Sequence, residues 1–242
     1  MEDFILKNYI SLIYFFEALV IVIGLINFKK FKGNVAAKYF IYFTVYALTI
    51  DISGSYTKWI EQNDALCWIY YLVENTIFSR NYWFFQFFWV IISPLFYSLY
   101  YFKVAKSALL KRSIKYVALS FAIVSIALLF INYKVLYTSF YTPISLLGLL
   151  VILFLVFTYF IELIQSDSIL VFNRSLSFYI SIGILVFWLL TIPLEFYEKY
   201  FNIYDYGYIY LRFKVFLFSI LFMNLSFVVG LIVSNSKNEN VM

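Results

Sequence analysis

The chain contains 242 residues, of which 64% are hydrophobic and only 13% are charged. Soluble domains contain about half apolar and about a quarter charged residues, so this composition excludes a soluble protein and indicates a single transmembrane domain over residues 1–242. The net charge of +5 does not indicate a nucleic-acid partner, because Lys and Arg collect in the cytoplasmic loops of membrane proteins. We expect membrane lipid to surround most of the chain.

Seven apolar stretches have about the 20-residue length that a helix needs to cross a bilayer. We therefore predict an all-α fold, a polytopic bundle of seven transmembrane helices, over about residues 8–28, 39–56, 82–102, 116–133, 143–164, 177–196 and 212–234. The leader MEDFILK (1–7) is net acidic, and no small-residue cleavage site follows the first stretch. It therefore lacks the pattern of a signal peptide.

A further apolar segment, ALCWIYYLVENTIFS (65–79), is short for a crossing and contains Glu74 and Asn75. Counting it as a span would also move the five cations of the third loop to the outside. We predict instead an interfacial helix on the outer leaflet, with Trp59 and Trp68 at headgroup depth.

The charges of the loops predict the orientation. The basic residues of the first and third loops, which contain no acid, are Lys29, Lys30, Lys32, Lys38, Lys103, Lys106, Lys111, Arg112 and Lys115. The acids of the second, fourth and sixth loops are Glu61, Asp64, Glu74, Glu198 and Asp205. The positive-inside rule then places loops one and three in the cytoplasm, the N-terminus outside and the C-terminus inside.

Tyrosines concentrate near the predicted helix ends, as in FYSLYYF (96–102) and FYEKYFNIYDYGYIYLRF (196–213). Aromatic belts at the two membrane interfaces explain such a distribution. We favour this interpretation over an aromatic ligand site.

Two carboxylates lie inside the predicted spans. Glu17 is near the middle of LIYFFEALVIVIGL (12–25), and Asp51 belongs to a stripe of small and polar residues on one helix face, Thr44, Ala47, Asp51 and Ser55. A charged side chain at the bilayer centre costs about 2.5–3.5 kcal/mol on insertion scales, and such residues face the bundle interior and mark functional sites. Both residues are candidates for ligand binding, and interhelical hydrogen bonding is the structural alternative.

Three other polar residues complete the candidate site. Asn224 lies at about the depth of Glu17, whereas Gln86 and Glu195 lie nearer the predicted outer surface, and Ser93-Pro94 interrupts the third helix. We predict an outward-opening pocket with Glu17 and Asn224 at its floor and Asp51, Gln86 and Glu195 above. For Asn224, Gln86 and Glu195 a structural role is favoured, and Glu162 is expected to be an interfacial anchor.

Missing residue types exclude several chemistries. There is no histidine and a single cysteine, Cys67, which removes Ser-His and Cys-His dyads, the usual metal ligand and any internal disulfide. A rhodopsin needs a lysine inside the seventh helix, and the only lysine there, Lys214, lies at its outer end. An intramembrane aspartyl protease needs two facing aspartates, and only Asp51 lies inside a predicted span. We expect neither an enzyme nor a cofactor.

Three pieces of the sequence resemble a group of uncharacterised seven-helix integral membrane proteins of Bacteroidota. They are FEALVIVIGLINFKKFKGNVAAKYF (16–40), RNYWFF (80–85) and IELIQSDSILVFNRSLSFYISIGILVFWLLTIPLEF (161–196). The resemblance spans most of the chain and implies seven helices and a multi-pass location in the cell inner (cytoplasmic) membrane. It implies no activity and no functional residue.

Three functions are compatible with these features. The first is a sensor or receptor-like module that binds a small ligand from the outer side. The tail NSKNENVM is too short for an output domain, so we expect a protein partner at the cytoplasmic loops. The second is a small-solute or ion transporter or channel that uses Glu17 and Asp51, although no internal repeat is visible. The third is a membrane subunit or a membrane-permeabilising effector of a larger system.

Overall fold

The computed structural model describes residues 8–197 and 206–234. Within these residues, seven helices are long and apolar enough to cross a membrane: α1 (Tyr9–Ile26), α2 (Val35–Gly54), α3 (Tyr82–Val104), α4 (Ala108–Ile131), α5 (Thr142–Ile164), α6 (Leu176–Tyr197) and α7 (Tyr206–Val233). The predicted helical class and the number of spans of a multi-pass membrane protein are confirmed. The predictions about the leader 1–7, the acids Glu198 and Asp205 and the tail 235–242 lie outside the described residues.

Six of these helices form a closed ring. Going round it, α1 contacts α2, α2 contacts α3, α3 contacts α5, α5 contacts α6, α6 contacts α7, and α7 returns to α1. Helix α4 packs against α3 and α5, and only Ile114, Phe121 and Ser125 of its side chains are buried. Because most of the exposed side chains of α4 are apolar, the helix presents to the surroundings the surface that lipid chains require.

Several helices are longer than the sequence pattern predicted. Helix α4 begins at Ala108 rather than at residue 116, so only residues 105–107 separate it from α3. The predicted third loop was therefore wrong in extent: Lys103 lies on α3, and Lys111, Arg112 and Lys115 lie on the first turns of α4. The segment contains no Gly or Pro to stop a helix, and long basic side chains reach polar surroundings from a helix end.

The predicted interruption of the third helix at Ser93-Pro94 was also wrong. Helix α3 continues through Pro94, and its preceding turn, Gln86–Ile91, is a wider π-helical turn. In a regular α-helix a proline ring clashes with the carbonyl group four residues earlier. The π-helical turn contains more residues, so a different carbonyl group lies next to the Pro94 ring and the helix can continue. The Tyr46 hydroxyl donates to the Phe88 carbonyl oxygen at 2.7 Å and so satisfies one acceptor of this turn.

The segment predicted as an interfacial helix over 65–79 is helical only in part. It contains a short α-helix, Cys67–Val73, and a 3-10 turn, Ile77–Ser79. Thr76 ends the α-helix, because its hydroxyl donates to the Val73 carbonyl oxygen at 2.8 Å and accepts from the Phe78 amide at 3.2 Å. Trp68, Tyr71 and Leu72 are exposed, and their membrane depth stays a prediction.

The tyrosines of FYSLYYF do not form an aromatic belt. Tyr97, Tyr100 and Tyr101 are at most 3% exposed and belong to the core. Two of them join α3 to α6: the Tyr100 hydroxyl lies 2.8 Å from Ser177 Oγ, and the Tyr101 hydroxyl lies 2.6 Å from Ser181 Oγ. A small hydroxyl residue opposite each ring lets a tyrosine be buried with its hydroxyl hydrogen-bonded.

Side chains also tie the short loops to helix ends. Lys30 Nζ donates to the carbonyl oxygens of Leu231 and Ile232 at the end of α7, at 3.3 and 2.8 Å. Glu162 Oε1 accepts from the amides of Lys106 and Ser107 at 2.9 and 2.8 Å. Glu162 is therefore more than an interfacial anchor, because it binds amide groups at the start of α4.

Candidate ligand-binding cavity

The ring of helices encloses a cavity of about 400 Å³. Its lining includes Ile10 at the start of α1, Asn81 just before α3, Glu195 near the end of α6, and Arg212 in the early turns of α7. These positions all lie at one end of the bundle, which we call the mouth end. The opposite end, where Lys30 meets α7, is called the lysine end.

Two carboxyl groups face each other across α1 and α2 in this cavity. Glu17 is only 7% exposed, and its carboxyl group lies close enough to that of Asp51 for a hydrogen bond. Both residues line the cavity. Since an ionised carboxylate only accepts hydrogen bonds, a bond between two carboxyl groups requires a proton on one of them. The carboxyl pair, Glu17 and Asp51, therefore carries at most one negative charge while this bond is made.

One oxygen of the pair receives no hydrogen bond from the rest of the protein. Glu17 Oε2 is buried, and no amide, hydroxyl or basic side chain of the described residues donates to it. Leaving a buried acceptor unsatisfied costs about 1–3 kcal/mol. A hydrogen-bond donor brought by a bound molecule would therefore be stabilised at this position.

A second hydrogen-bonded contact holds α1 and α2 in register beside the pair. The Tyr14 hydroxyl lies 3.0 Å from Ser55 Oγ and 3.3 Å from the Asp51 carbonyl oxygen. Tyr14 precedes Glu17 by three positions and Ser55 follows Asp51 by four, so each lies one turn away on the same helix face. The two contacts together fix the position of both carboxyl groups.

Asn224, which was predicted at about the depth of Glu17 on the floor of the same pocket, does not line the large cavity. With Glu17, Thr44 and Tyr97 it lines a separate small cavity of about 20 Å³, on the side toward the lysine end. Its amide donates to the Ile220 carbonyl oxygen of its own helix at 3.0 Å. Glu17 therefore lies between the large cavity and a space about the size of one water molecule.

Aromatic side chains form one wall of the large cavity. The rings of Trp89, Phe187 and Phe216 lie on α3, α6 and α7 in edge-to-face or tilted contact, with centroids 6.4 and 6.2 Å apart. Trp188 packs against Gly148 of α5, where a Cβ atom would lie 3.0 Å from the indole ring. Such π faces attract cations as well as apolar groups.

Charged side chains lie nearer the mouth end. Lys58, Glu195 and Arg212 line the cavity, and Glu195 Oε1 accepts from the Ser145 hydroxyl at 2.8 Å. Arg212 is close enough to Tyr9 for electrostatic interaction. The lining is thus apolar and aromatic for most of its area, with the carboxyl pair at the floor and mixed charges at the mouth.

The chain matches no known protein family. No family model, curated protein or solved structure is significantly similar to it. The resemblance to seven-helix proteins of Bacteroidota therefore stays a prediction, and the cavity has to be interpreted from its own residues.

The structure brings four of the five predicted site residues to these two cavities. Glu17, Asp51 and Glu195 line the large cavity and Asn224 lines the small one. Gln86 is fully buried elsewhere: its Oε1 accepts from the Tyr141 amide at 2.8 Å, just before α5. That contact gives Gln86 a structural position, and ligand binding by the other four stays a prediction.

Several lining residues escaped the sequence analysis. The spacing from Glu17 could have indicated Tyr14, because a residue three positions earlier shares its helix face. Lys58 was not expected on a helix, and it lies on the short helix Tyr56–Gln62. Arg212 was expected at the very start of the seventh span, whereas α7 begins at Tyr206. Trp89 and Trp188 were not selected as site residues, because the sequence contains many aromatic residues and nothing in it distinguishes these two.

Proposed function

We propose that this protein is a receptor-like membrane module that binds a small molecule in the large cavity. The observation that carries the proposal is a cavity of about 400 Å³ between membrane helices, with a hydrogen-bonded carboxyl pair at its floor. Small-molecule sites are concave and mostly apolar, with a few convergent polar groups, and have volumes of about 300–1,000 Å³. The cavity meets each of these criteria.

The packing toward the lysine end favours binding over conduction. Beyond Asn224, buried apolar side chains from four helices fill the ring, namely Val20, Phe40, Ile41, Ile184, Phe227 and Leu231. The Phe40 and Phe227 rings are in edge contact with centroids 4.9 Å apart. A channel would need polar groups or water along this half, so a closed-ended site is the simpler interpretation.

The orientation and the partner are part of the proposal. The exposed cations Lys29, Lys32, Lys106 and Arg112 lie at the lysine end, which supports a cytoplasmic location for that end by the positive-inside rule. The mouth end would then open to the outside, in the inner membrane of a bacterium. A partner protein that contacts the basic loops would transmit the bound state.

The test is a ligand screen on the purified full chain. Thermal unfolding in detergent should identify compounds that raise the midpoint, since a ligand at about 100 times its Kd stabilises by about 2.7 kcal/mol. The variant Ile13→Phe adds volume at a buried lining residue, and Ile126→Phe adds the same volume on the exposed face of α4. We expect a hit to stabilise the wild type and Ile126→Phe but not Ile13→Phe.

A hit that stabilises both variants equally would bind outside the cavity and contradict the proposal. The transporter alternative is tested separately in sealed proteoliposomes. We expect no proton or sodium leak from the wild type and none from Asp51→Asn. If the wild type conducts ions and Asp51→Asn abolishes the flux, a transporter or channel would replace the receptor-like proposal. If the wild type and Asp51→Asn permeabilise the liposomes equally, a membrane-permeabilising effector would be favoured.

A further inference from the structure

The carboxyl pair places a selective requirement on whatever enters the cavity. The carboxyl groups of Glu17 and Asp51 lie close enough to share one hydrogen bond, in which one group holds a proton and the other can be ionised. The pair can therefore carry one negative charge, and no donor of the described residues outside the pair reaches the buried Glu17 Oε2. Its complement is a group with one positive charge and at least one N–H or O–H donor.

No basic side chain of the described residues satisfies this requirement. The only side-chain hydrogen bond made by Glu17 and Asp51 within residues 8–197 and 206–234 is the one between them. Lys58 and Arg212 line the same cavity, but Lys58 is exposed and Arg212 already interacts with other groups, including Tyr9. The negative charge of the carboxyl pair is therefore available to bind a cationic molecule that enters the cavity.

The aromatic walls of the cavity indicate which kind of group is attached to the cation. Trp89, Trp188 and Phe216 line the same cavity as the pair, and aromatic faces bind both apolar groups and desolvated cations. A hydrated inorganic ion would leave most of the 400 Å³ and its aromatic walls unused. An organic body with an apolar or aromatic part fills the same space with favourable contacts.

We propose that the ligand is a lipophilic organic monocation whose ammonium group binds to Glu17 and Asp51. This inference rests on the proposed function, because it assigns the chemical class of the molecule in the same cavity. The ammonium group donates to the carboxyl oxygens of the pair, and the aromatic walls enclose the apolar body. The preference for a cation is therefore determined at the floor of the cavity.

The test compares three probes of nearly the same shape on the full chain in lipid nanodiscs. They are 4-phenylbutylamine, which is protonated at neutral pH because amines of this type have a pKa of about 10.4, the neutral pentylbenzene, and the anionic 4-phenylbutyrate. We expect the wild type to bind the amine more tightly than pentylbenzene and to show no saturable binding of the anion.

Variants then locate the preference. The double variant Glu17→Gln/Asp51→Asn keeps the shape of the pair and removes both ionisable groups, whereas either single variant would leave a carboxyl group able to carry the charge. The exposed Glu61→Gln is the matched control at the same end of the bundle. Hydrogen bonds to charged groups contribute about 1.5–3 kcal/mol, so the double variant should bind the amine about 10- to 100-fold more weakly. Pentylbenzene affinity should change less than about threefold in both variants.

The outcomes separate this inference from the proposed function. Equal affinity for the amine and pentylbenzene in the wild type would overturn the inference and leave a ligand-binding cavity. An amine affinity that the double variant does not change would have the same consequence. Stabilisation by sodium chloride but by none of the probes would replace the organic cation with an inorganic one. If the double variant does not fold, the comparison of the three probes on the wild type still decides the inference.

Discussion

The hydroxyl of Tyr101 lies 2.6 Å from Ser181 Oγ, and both residues are in the core. Ser181 Oγ also donates to the Ser177 carbonyl oxygen at 2.7 Å, so its single proton is used and the tyrosine hydroxyl is the donor. This contact joins α3 to α6 across the half of the ring that contains no large cavity. It therefore contributes to the rigid base on which the cavity is built.

Replacing Tyr101 with Phe should lower stability by a small, measurable amount. Interhelical hydrogen bonds in membrane proteins average about 0.6 kcal/mol, with a maximum near 1.7 kcal/mol. A double-mutant cycle of Tyr101→Phe and Ser181→Ala, followed by thermal unfolding in detergent, should give a coupling energy in that range. The exposed Tyr116→Phe on α4 is the control and should leave the midpoint unchanged. Additive effects of the two core variants would contradict the prediction.

Gly54 is expected to tolerate no side chain. Its Cα lies against the ring of Phe85, which would overlap with any added Cβ atom, and Phe85 lines the cavity. Although an alanine in a helix is about 1 kcal/mol more favourable than a glycine, overpacking costs about 1–3 kcal/mol. Gly54→Ala should therefore lower the unfolding midpoint and change the affinity of any cavity ligand.

Gly24→Ala is the matched control for this variant. Its added Cβ would lie 3.3 Å from Ile41, a tight contact that a small shift of the isoleucine relieves, so the helix-propensity gain should cancel the cost. Equal loss of stability in both variants would show that Phe85 is not the reason for the glycine at position 54.

Lys30 is expected to reduce the fraying of the C-terminal turn of α7. Its ammonium group donates to the last carbonyl groups of that helix, and a cation at a helix C-terminus contributes about 0.3–1 kcal/mol. Lys30→Ala should raise hydrogen exchange over residues 228–234, whereas the exposed neighbour Lys29 can be replaced by Ala without that effect. Unchanged exchange in Lys30→Ala would remove the capping role.

The orientation can be tested with single cysteines in a Cys67→Ser background. Lys106→Cys lies between α3 and α4 at the lysine end, and Lys134→Cys lies between α4 and α5 at the opposite end. Both lysines are exposed. If the positive-inside rule holds, an impermeant thiol reagent added to spheroplasts should label Lys134→Cys only. Labelling of Lys106→Cys alone would reverse the orientation and place the cavity mouth in the cytoplasm.

The sequence predicted what depends on composition and on neighbours along one helix. The seven spans follow from apolar length, and the inward faces of Glu17 and Asp51 follow from helical spacing. Contacts between helices distant in the chain could not be predicted in this way. The bond between Gln86 and the Tyr141 amide is one example, and the burial of Tyr100 and Tyr101 against serines of α6 is another.

The position of helix ends was the other weakness, and around the start of α4 the sequence contains no Gly or Pro to mark the end. The cations at the start of α4 were expected in a loop, and α7, which carries Arg212 into the cavity lining, begins at Tyr206 rather than at the predicted residue 212. Polar residues near a membrane surface continue a helix as readily as they leave it, since water is available there for unsatisfied backbone groups.

The ring order has a consequence for biosynthesis. Glu17 and Asp51 lie on consecutive helices, whereas the ring closes only when α7 reaches α1. Chains are made from the N-terminus at about 5–20 residues per second, so the carboxyl group that is most costly in lipid meets its partner as soon as the second helix inserts. The helices α6 and α7, which carry part of the aromatic walls, are added last. In a ribosome-bound intermediate that lacks them, Glu17 and Asp51 are therefore already paired, but the cavity above them is open on one side.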